Sequence, residues 1–183
     1  MSKIGRKPID IGSAQVEVKG QEVHYSGKKG NGVYVLPKEL TPELNGKALT
    51  IKANDKVRLD ARELNRVWGL HRALLANAIK GSQQEFEKVM QINGLGFKAA
   101  LSGSKVVFSL GYSHKIDFNL PAGVSLEIDK TGQRLVFRSS DKELVGEVCS
   151  QVRALRPPEP YKGTGIKLDT EVIARKAGKT KAA

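Results

Sequence analysis

The chain runs one plan twice, a series of short alternating strands followed by a single amphipathic helix. In the first half, Val16-Glu17-Val18-Lys19, Val23-His24-Tyr25-Ser26, Val33-Tyr34-Val35-Leu36 and Leu49-Thr50-Ile51-Lys52 alternate apolar with polar residues. Period two with one polar face predicts an antiparallel sheet covered on one side. Gly20-Gln21 and Lys28-Lys29-Gly30-Asn31-Gly32 separate the first three runs with hairpin chemistry. Asp60-x-x-Glu63 then predicts a capping box. Leu64, Val67, Trp68, His71, Leu74, Leu75, Ala78 and Ile79 share one helical stripe, and Gly81 is its expected stop.

The second half offers strands at Phe86–Ile92, Phe97–Leu101, Val106–Leu110, Ile116–Leu120, Ser125–Ile128 and Leu135–Arg138. Ser140-Asp141-Lys142-Glu143 is a second capping box, and Leu144, Val148, Val152 and Leu155 form the buried stripe of a second helix. Arg156 and Pro157 end it, because the residue before a proline is pushed out of helical geometry. Laid side by side, Val23-His24-Tyr25-Ser26 meets Val106-Val107-Phe108-Ser109, Leu36-Pro37 meets Leu120-Pro121, and Leu49-Thr50-Ile51-Lys52 meets Leu135-Val136-Phe137-Arg138. The expected fold is α+β: two similar domains from an internal duplication, each an antiparallel sheet packed against one helix. The boundaries expected are 1–81, 82–156 and a basic extension over 157–183.

Charge points to the partner. The net +12 is spread unevenly: residues 1–81 carry +7, 82–152 carry zero and 153–183 carry +5. A neutral centre between basic ends suggests a compact body that grips a polyanion through patches, and the surplus exceeds the roughly 2–8 charges that solubility needs. No run approaches the ~20 apolar residues of a membrane span, and no signal peptide is expected behind the basic start. The lone Cys149 excludes an internal disulfide and suits a reducing cytoplasm.

Catalytic chemistry is missing from the pattern. His24, His71 and His114 share no metal-ligand spacing with one another or with Cys149, so no metal and no cofactor are expected. His71 reads as a boundary histidine and Cys149 as a small buried hydrophobe. Gly94-Leu95-Gly96 reads as a strand bulge or bend. No small-molecule substrate motif occurs, and neither a helix-turn-helix nor the paired aromatics of a base-reading sheet is present. Phosphate and shape recognition of a folded RNA remains.

The segment that would do this is Arg153 to Ala183. Arg156-Pro157-Pro158-Glu159-Pro160-Tyr161-Lys162-Gly163-Thr164-Gly165 sets prolines beside an aromatic, a cation and two glycines. It reads as a strap with little to gain from packing on its own protein. Lys162 and Lys167 would neutralise phosphates, Gly163 and Gly165 would admit RNA close to the backbone, and Tyr161 would stack on a sugar or base or else pack on the body. Arg153 and Arg156 would share a face toward one groove, or simply favour the helix C-terminus. Arg175, Lys176, Lys179 and Lys181 are tail cations expected to order only with RNA. Lys3, Arg6 and Lys7 form a second, looser contact or a solvated arm. A free-standing RNA-binding module or assembly factor and an enzyme acting on nucleic acid are the competing readings.

The run from Arg156 to Ile166 is similar to the signature of bacterial large-subunit ribosomal protein six. Ser2-Lys3-Ile4-Gly5-Arg6-Lys7-Pro8-Ile9, Gly94-Leu95-Gly96-Phe97-Lys98-Ala99 and Leu110-Gly111-Tyr112-Ser113-His114 resemble the same family. The resemblance implies duplicated α+β domains and binding to 23S rRNA, largely through the C-terminal domain and tail. It also implies a place in cytoplasmic ribosomes near the sarcin–ricin loop and stalk base, beside neighbouring ribosomal proteins and docking translational GTPases. Members usually carry Lys between the two signature glycines, where this chain has Thr164; that removes one cation and keeps a hydroxyl.

Overall fold

Alternation becomes strand wherever the sequence shows it, and two helices follow the strands. The computed structural model describes residues 2–54, 60–103 and 105–178. The chain divides into two units, Met1–Glu85 with Ser140–Lys142, and Phe86–Ser139 with the residues from Glu143 onward.

The first unit contains β1 (Ile9–Asp10), β2 (Gln15–Lys19), β3 (Glu22–Ser26), β4 (Asn31–Val35), β5 (Leu40–Asn45), β6 (Ala48–Ala53) and α1 (Ala61–Gln83). Its strands split into two antiparallel sheets rather than one, a meander β2-β3-β4 and a sheet of order β1-β6-β5. Val23, Leu36, Leu40, Leu49 and Ile51 are buried with Trp68, Leu75 and Ile79 of α1. Trp68 donates its indole N–H to the Ile51 carbonyl at 2.9 Å, so the one polar atom of that ring is satisfied inside the core. His71 sits at the boundary as expected, its Nδ1 2.8 Å from the Tyr34 hydroxyl. Burial holds the imidazole below its ordinary pKa.

The second unit contains β7 (Phe86–Asn93), β8 (Lys98–Ser102), β9 (Lys105–Ser109), β10 (Ile116–Asn119), β11 (Ser125–Ile128), β12 (Arg134–Ser139), α2 (Lys142–Leu155) and β13 (Gly165–Leu168). Its sheets are the meander β8-β9-β10 and the four-stranded β11-β12-β7-β13. The order repeats the first unit strand for strand: the opening strand (β1 or β7) pairs with the last strand before the helix (β6 or β12), which pairs with its hairpin partner (β5 or β11). Phe108, Phe137, Met90, Ile92 and Leu135 form the core with Val145, Val148, Cys149 and Val152 of α2. Burial pushes the Cys149 thiol up to about 11, so it remains a protonated hydrophobe.

Several expectations need correction. Helix α1 continues through Gly81, which is buried and lacks the positive φ of a helix-ending glycine. The Ser82 hydroxyl donates to Ile79 O at 2.8 Å and the Gln84 N–H to Lys80 O at 3.0 Å, closing the helix later. Asp60 makes no side-chain cap bond, and Glu63 accepts from Arg66 at 3.2 Å instead of reaching back. Strand β5 was hidden by Pro42, which is tolerated because β5 lies at the sheet edge. The largest correction concerns the strap. Gly165–Leu168 is a strand, paired antiparallel to β7 from Gly165↔Asn93 to Leu168↔Met90, with Ile166 fully buried.

Candidate nucleic-acid interface

Helix α2 ends where Arg156 meets Pro157, and the chain then makes a tight excursion before returning as β13. Backbone bonds close that excursion like rungs. The Ile166 N–H donates to Arg156 O at 2.8 Å, the Glu159 N–H to Thr164 O at 2.9 Å and the Gly163 N–H to Glu159 O at 2.9 Å. The Thr164 hydroxyl adds a bond to Glu159 Oε2 at 3.3 Å. The loop tip therefore projects Tyr161, 54% exposed, and an exposed Lys162 from a base that its own hydrogen bonds define.

The two glycines serve this closure. Gly165 has φ +133°, and a Cβ there would lie 2.6 Å from the Pro157 carbonyl oxygen. Gly163 has φ +72° and would meet the Arg175 guanidinium at 3.2 Å. Both residues are buried. The close approach they permit is to their own chain: both sit at positive φ, where a residue without Cβ is favoured, with Gly165 against the Arg156–Pro157 backbone and Gly163 against the Arg175 side chain.

Beyond β13 the chain folds back on the same loop. The Lys176 N–H donates to Pro160 O at 3.0 Å. Arg153 grips Glu171 with two bonds, Nε to Oε2 at 2.9 Å and Nη2 to Oε1 at 2.6 Å. That guanidinium holds the Glu171 carboxyl below the ordinary carboxylate range. Gln91 also bonds Asp169, just past β13. Arg153 is thus committed to an internal pair, while Arg156 turns elsewhere, its guanidinium 4.7 Å from the Tyr112 ring centre and 5.7 Å from that of Phe97. The two arginines do not share one open face. Lys162, Arg175 and Lys176 are exposed and Lys167 half-exposed on β13. The returning tail brings Arg175 beside Gly163 and the Lys176 backbone beside Pro160, while Lys167 lies on β13 just past the loop. Lys179 and Lys181 lie outside the described residues.

Arg156 leads to residues that the sequence reading did not assign a role. Tyr112 lies between Arg156 and His114, stacking on the latter at 6.2 Å with rings 22° apart, and donates its hydroxyl proton to Leu155 O at 3.1 Å. Phe97 fills the space beside it. A Cβ on Gly94 would lie 2.5 Å from that ring and one on Gly111 2.7 Å, so both glycines exist to admit Phe97. Leu95, at 102% exposure, stands at the tip of the loop between β7 and β8. The available signal was three glycines flanking two aromatics; Gly94-Leu95-Gly96 reads as a bend and Gly111 carries no reading, because Phe97 and Tyr112 are remote in sequence from Arg156.

Lys3, Arg6 and Lys7 belong to the first unit, and all three side chains are exposed. Their backbone is not a loose arm. Arg72 of α1 donates to Lys7 O at 3.0 Å and Pro8 O at 2.8 Å, and Gly5 lies so close to Trp68 that a Cβ would be 2.6 Å from the indole. Among the described residues no group of His, Cys, Asp and Glu could hold a metal ion, and no helix is long and apolar enough to cross a membrane.

Comparison with known proteins follows this geometry. The family model described as ribosomal protein L6 matches residues 93–168, from the end of β7 to the end of β13. The chain is 42% identical over 189 residues to the large ribosomal subunit protein uL6 of Myxococcus xanthus, covering 98% of each. It is 44% identical over 183 residues to that of Campylobacter jejuni subsp. jejuni, again with 98% of each covered. To that of Bifidobacterium animalis subsp. lactis it is 41% identical over 179 residues and 97% of each chain. Identity at this level across nearly the whole length shows that the chain belongs to the ribosomal protein L6 family.

Proposed function

We propose that the protein is a structural component of the large ribosomal subunit, not an enzyme, and that its second unit binds 23S rRNA. The observation that carries this is the self-closed loop over 156–166. It presents Tyr161 and Lys162 on a base fixed by backbone bonds, with the tail of Arg175 and Lys176 folded back against it and Lys167 on the strand that follows. A loop shaped before binding loses little conformational entropy when it meets RNA, so its phosphate contacts are retained as net affinity. Gly163 and Gly165 shape the loop, Thr164 pins it to Glu159, and Arg153 holds the returning tail through Glu171. Arg156 orients Tyr112. Lys179 and Lys181 extend the cationic surface, and Lys3, Arg6 and Lys7 supply a second contact from the first unit. In the subunit this body shapes RNA near the sarcin–ricin loop and stalk base, where translational GTPases dock, among neighbouring large-subunit proteins.

The test is chemical footprinting of large-subunit RNA with and without the full chain. Protection should cluster at one folded region and weaken steeply with salt, the slope rising by about 0.7–0.9 per phosphate neutralised. Protection that is absent, scattered, or insensitive to salt refutes the reading.

A further inference from the structure

Each meander ends on an edge strand, β4 in the first unit and β10 in the second, and the two edges carry different side chains. In the meander β2-β3-β4 no strand among the described residues pairs with the outer side of β4. Backbone bonds join Gln21 to Leu36 and Gly27 to Gly30 at the two ends of the β3–β4 ladder. The alternation of an antiparallel ladder therefore turns the N–H and C=O groups of Asn31, Val33 and Val35 away from β3. Val33 and Val35 are also 51% and 62% exposed.

The duplicated strand shows what a protected edge looks like. Val33 pairs with His24 in β3, and Asp117 of β10 pairs with Val107, the matching position of β9. Val35 pairs with Glu22, and Asn119 pairs with Lys105. One copy thus carries a charge and an amide where the other carries two bare β-branched residues. Charged and polar outward side chains discourage strand addition, while exposed β-branched ones invite it.

The surrounding charge selects the occupant. Glu22 lies opposite Val35, Glu17 opposite His24, and both carboxylates are more than half exposed. Lys19 approaches Glu17 at 3.7 Å; Lys28 and Lys29 are exposed in the turn that opens β4, at the far end from Val35, and Lys29 pairs with Glu85 at 3.2 Å. His24 Nε2 is enclosed with no aligned hydrogen bond, although Glu22 Oε2 stands only 3.3 Å away. Beside Val33 and Val35 themselves, RNA would meet the carboxylates of Glu17 and Glu22. An extended peptide bearing Lys or Arg would lay its aliphatic stems over Val33 and Val35 and reach Glu22, a span of about 10 Å between backbones two strands apart.

We propose that the free edge of β4 accepts, as an added strand, an extended Lys- or Arg-rich segment of a second protein. This reaches beyond the RNA-binding reading and does not depend on it. The test places the photocross-linker benzoylphenylalanine at position 33 of the full chain, with position 117 as control, and irradiates growing cells. Position 33 should yield a cross-linked peptide, identified by mass spectrometry, from a basic extended segment of another protein, and position 117 should not. Adding Glu17→Lys and Glu22→Lys should lower the yield about tenfold, the loss expected from ~1.4 kcal/mol of weakened binding. Cross-linking to RNA, to another copy of this chain or to a segment without basic residues overturns the proposal. So does a yield no higher than at position 117, or one that charge reversal leaves unchanged. Sedimentation of the same variants with the large subunit reads the RNA interface separately, so each reading can fail alone.

Discussion

The two units are copies in ladder and connection, and they differ in what flanks the copied part. In the first, β1 is two residues long and, among the described residues, pairs with β6 alone; in the second, β7 is eight residues long and takes β13 on its other side. That added strand turns a peptide with a proline-rich start into the anchor of a cation-bearing loop. On the meanders the difference runs the other way, with apolar residues outward on β4 and polar ones on β10. The two copies offer equivalent scaffolds, and the residues that differ between them lie on different edges of each.

The sharpest way to break this comparison is to attack the added strand. Ile166→Asp buries an unpaired carboxylate and should destabilise the second unit by about 3–5 kcal/mol in thermal or denaturant unfolding. Val35→Asp, on the open edge, should stay within about 0.5 kcal/mol. Equal effects would mean that β13 is not integral to its unit. Next come two glycines at positive φ. Gly165→Ala meets both backbone strain and the Pro157 carbonyl and should cost about 2–4 kcal/mol. Gly46→Ala in the first unit has open space and should cost about 1 kcal/mol, from strain alone.

Charge reversal sharpens the comparison further. Lys162→Glu with Lys176→Glu should weaken RNA binding by about 10–100-fold and flatten the salt slope by about 0.7–0.9 per lost contact, with the melting temperature unchanged. Lys3→Glu with Lys7→Glu should do less; a larger effect would move the main interface to the first unit. The smallest effect belongs to the Arg153–Glu171 pair. Glu171 titrates lower in the folded protein than in the unfolded chain, so its contribution is present above the ordinary carboxylate pKa near 4.3 and fades as pH falls through the depressed value. Glu171→Gln should shrink that acid-side loss, and a pH–stability profile identical to the parent's would show that the pair is idle.

Much of this was legible because alternation is a local signal. Ser125–Ile128 appears as the strand β11 with the expected bounds, and Leu135–Arg138 lies within β12. What could not be seen depends on distant partners. Gly165-Ile166-Lys167-Leu168 offers two apolar residues among glycine and charge, too little to mark a strand until β7 is placed beside it. Arg153 looked like a cation for RNA because Glu171, eighteen residues on, gives no periodic hint of being its partner. Tyr112 was missed for the same reason. Gly163 and Gly165 were legible as positions that favour a residue without Cβ; that the neighbours are the Arg175 side chain and the Arg156–Pro157 backbone is a tertiary fact.

Pairing β7 with β13 also sets a timetable. The opening strand of the second unit waits for one of the last segments to be synthesised, so during translation β7 has a vacant side while the first unit already has every strand it needs. A message cut short before codon 165 would release a chain whose N-terminal half is finished and whose C-terminal half has an unsealed seam, a natural substrate for chaperones and proteases.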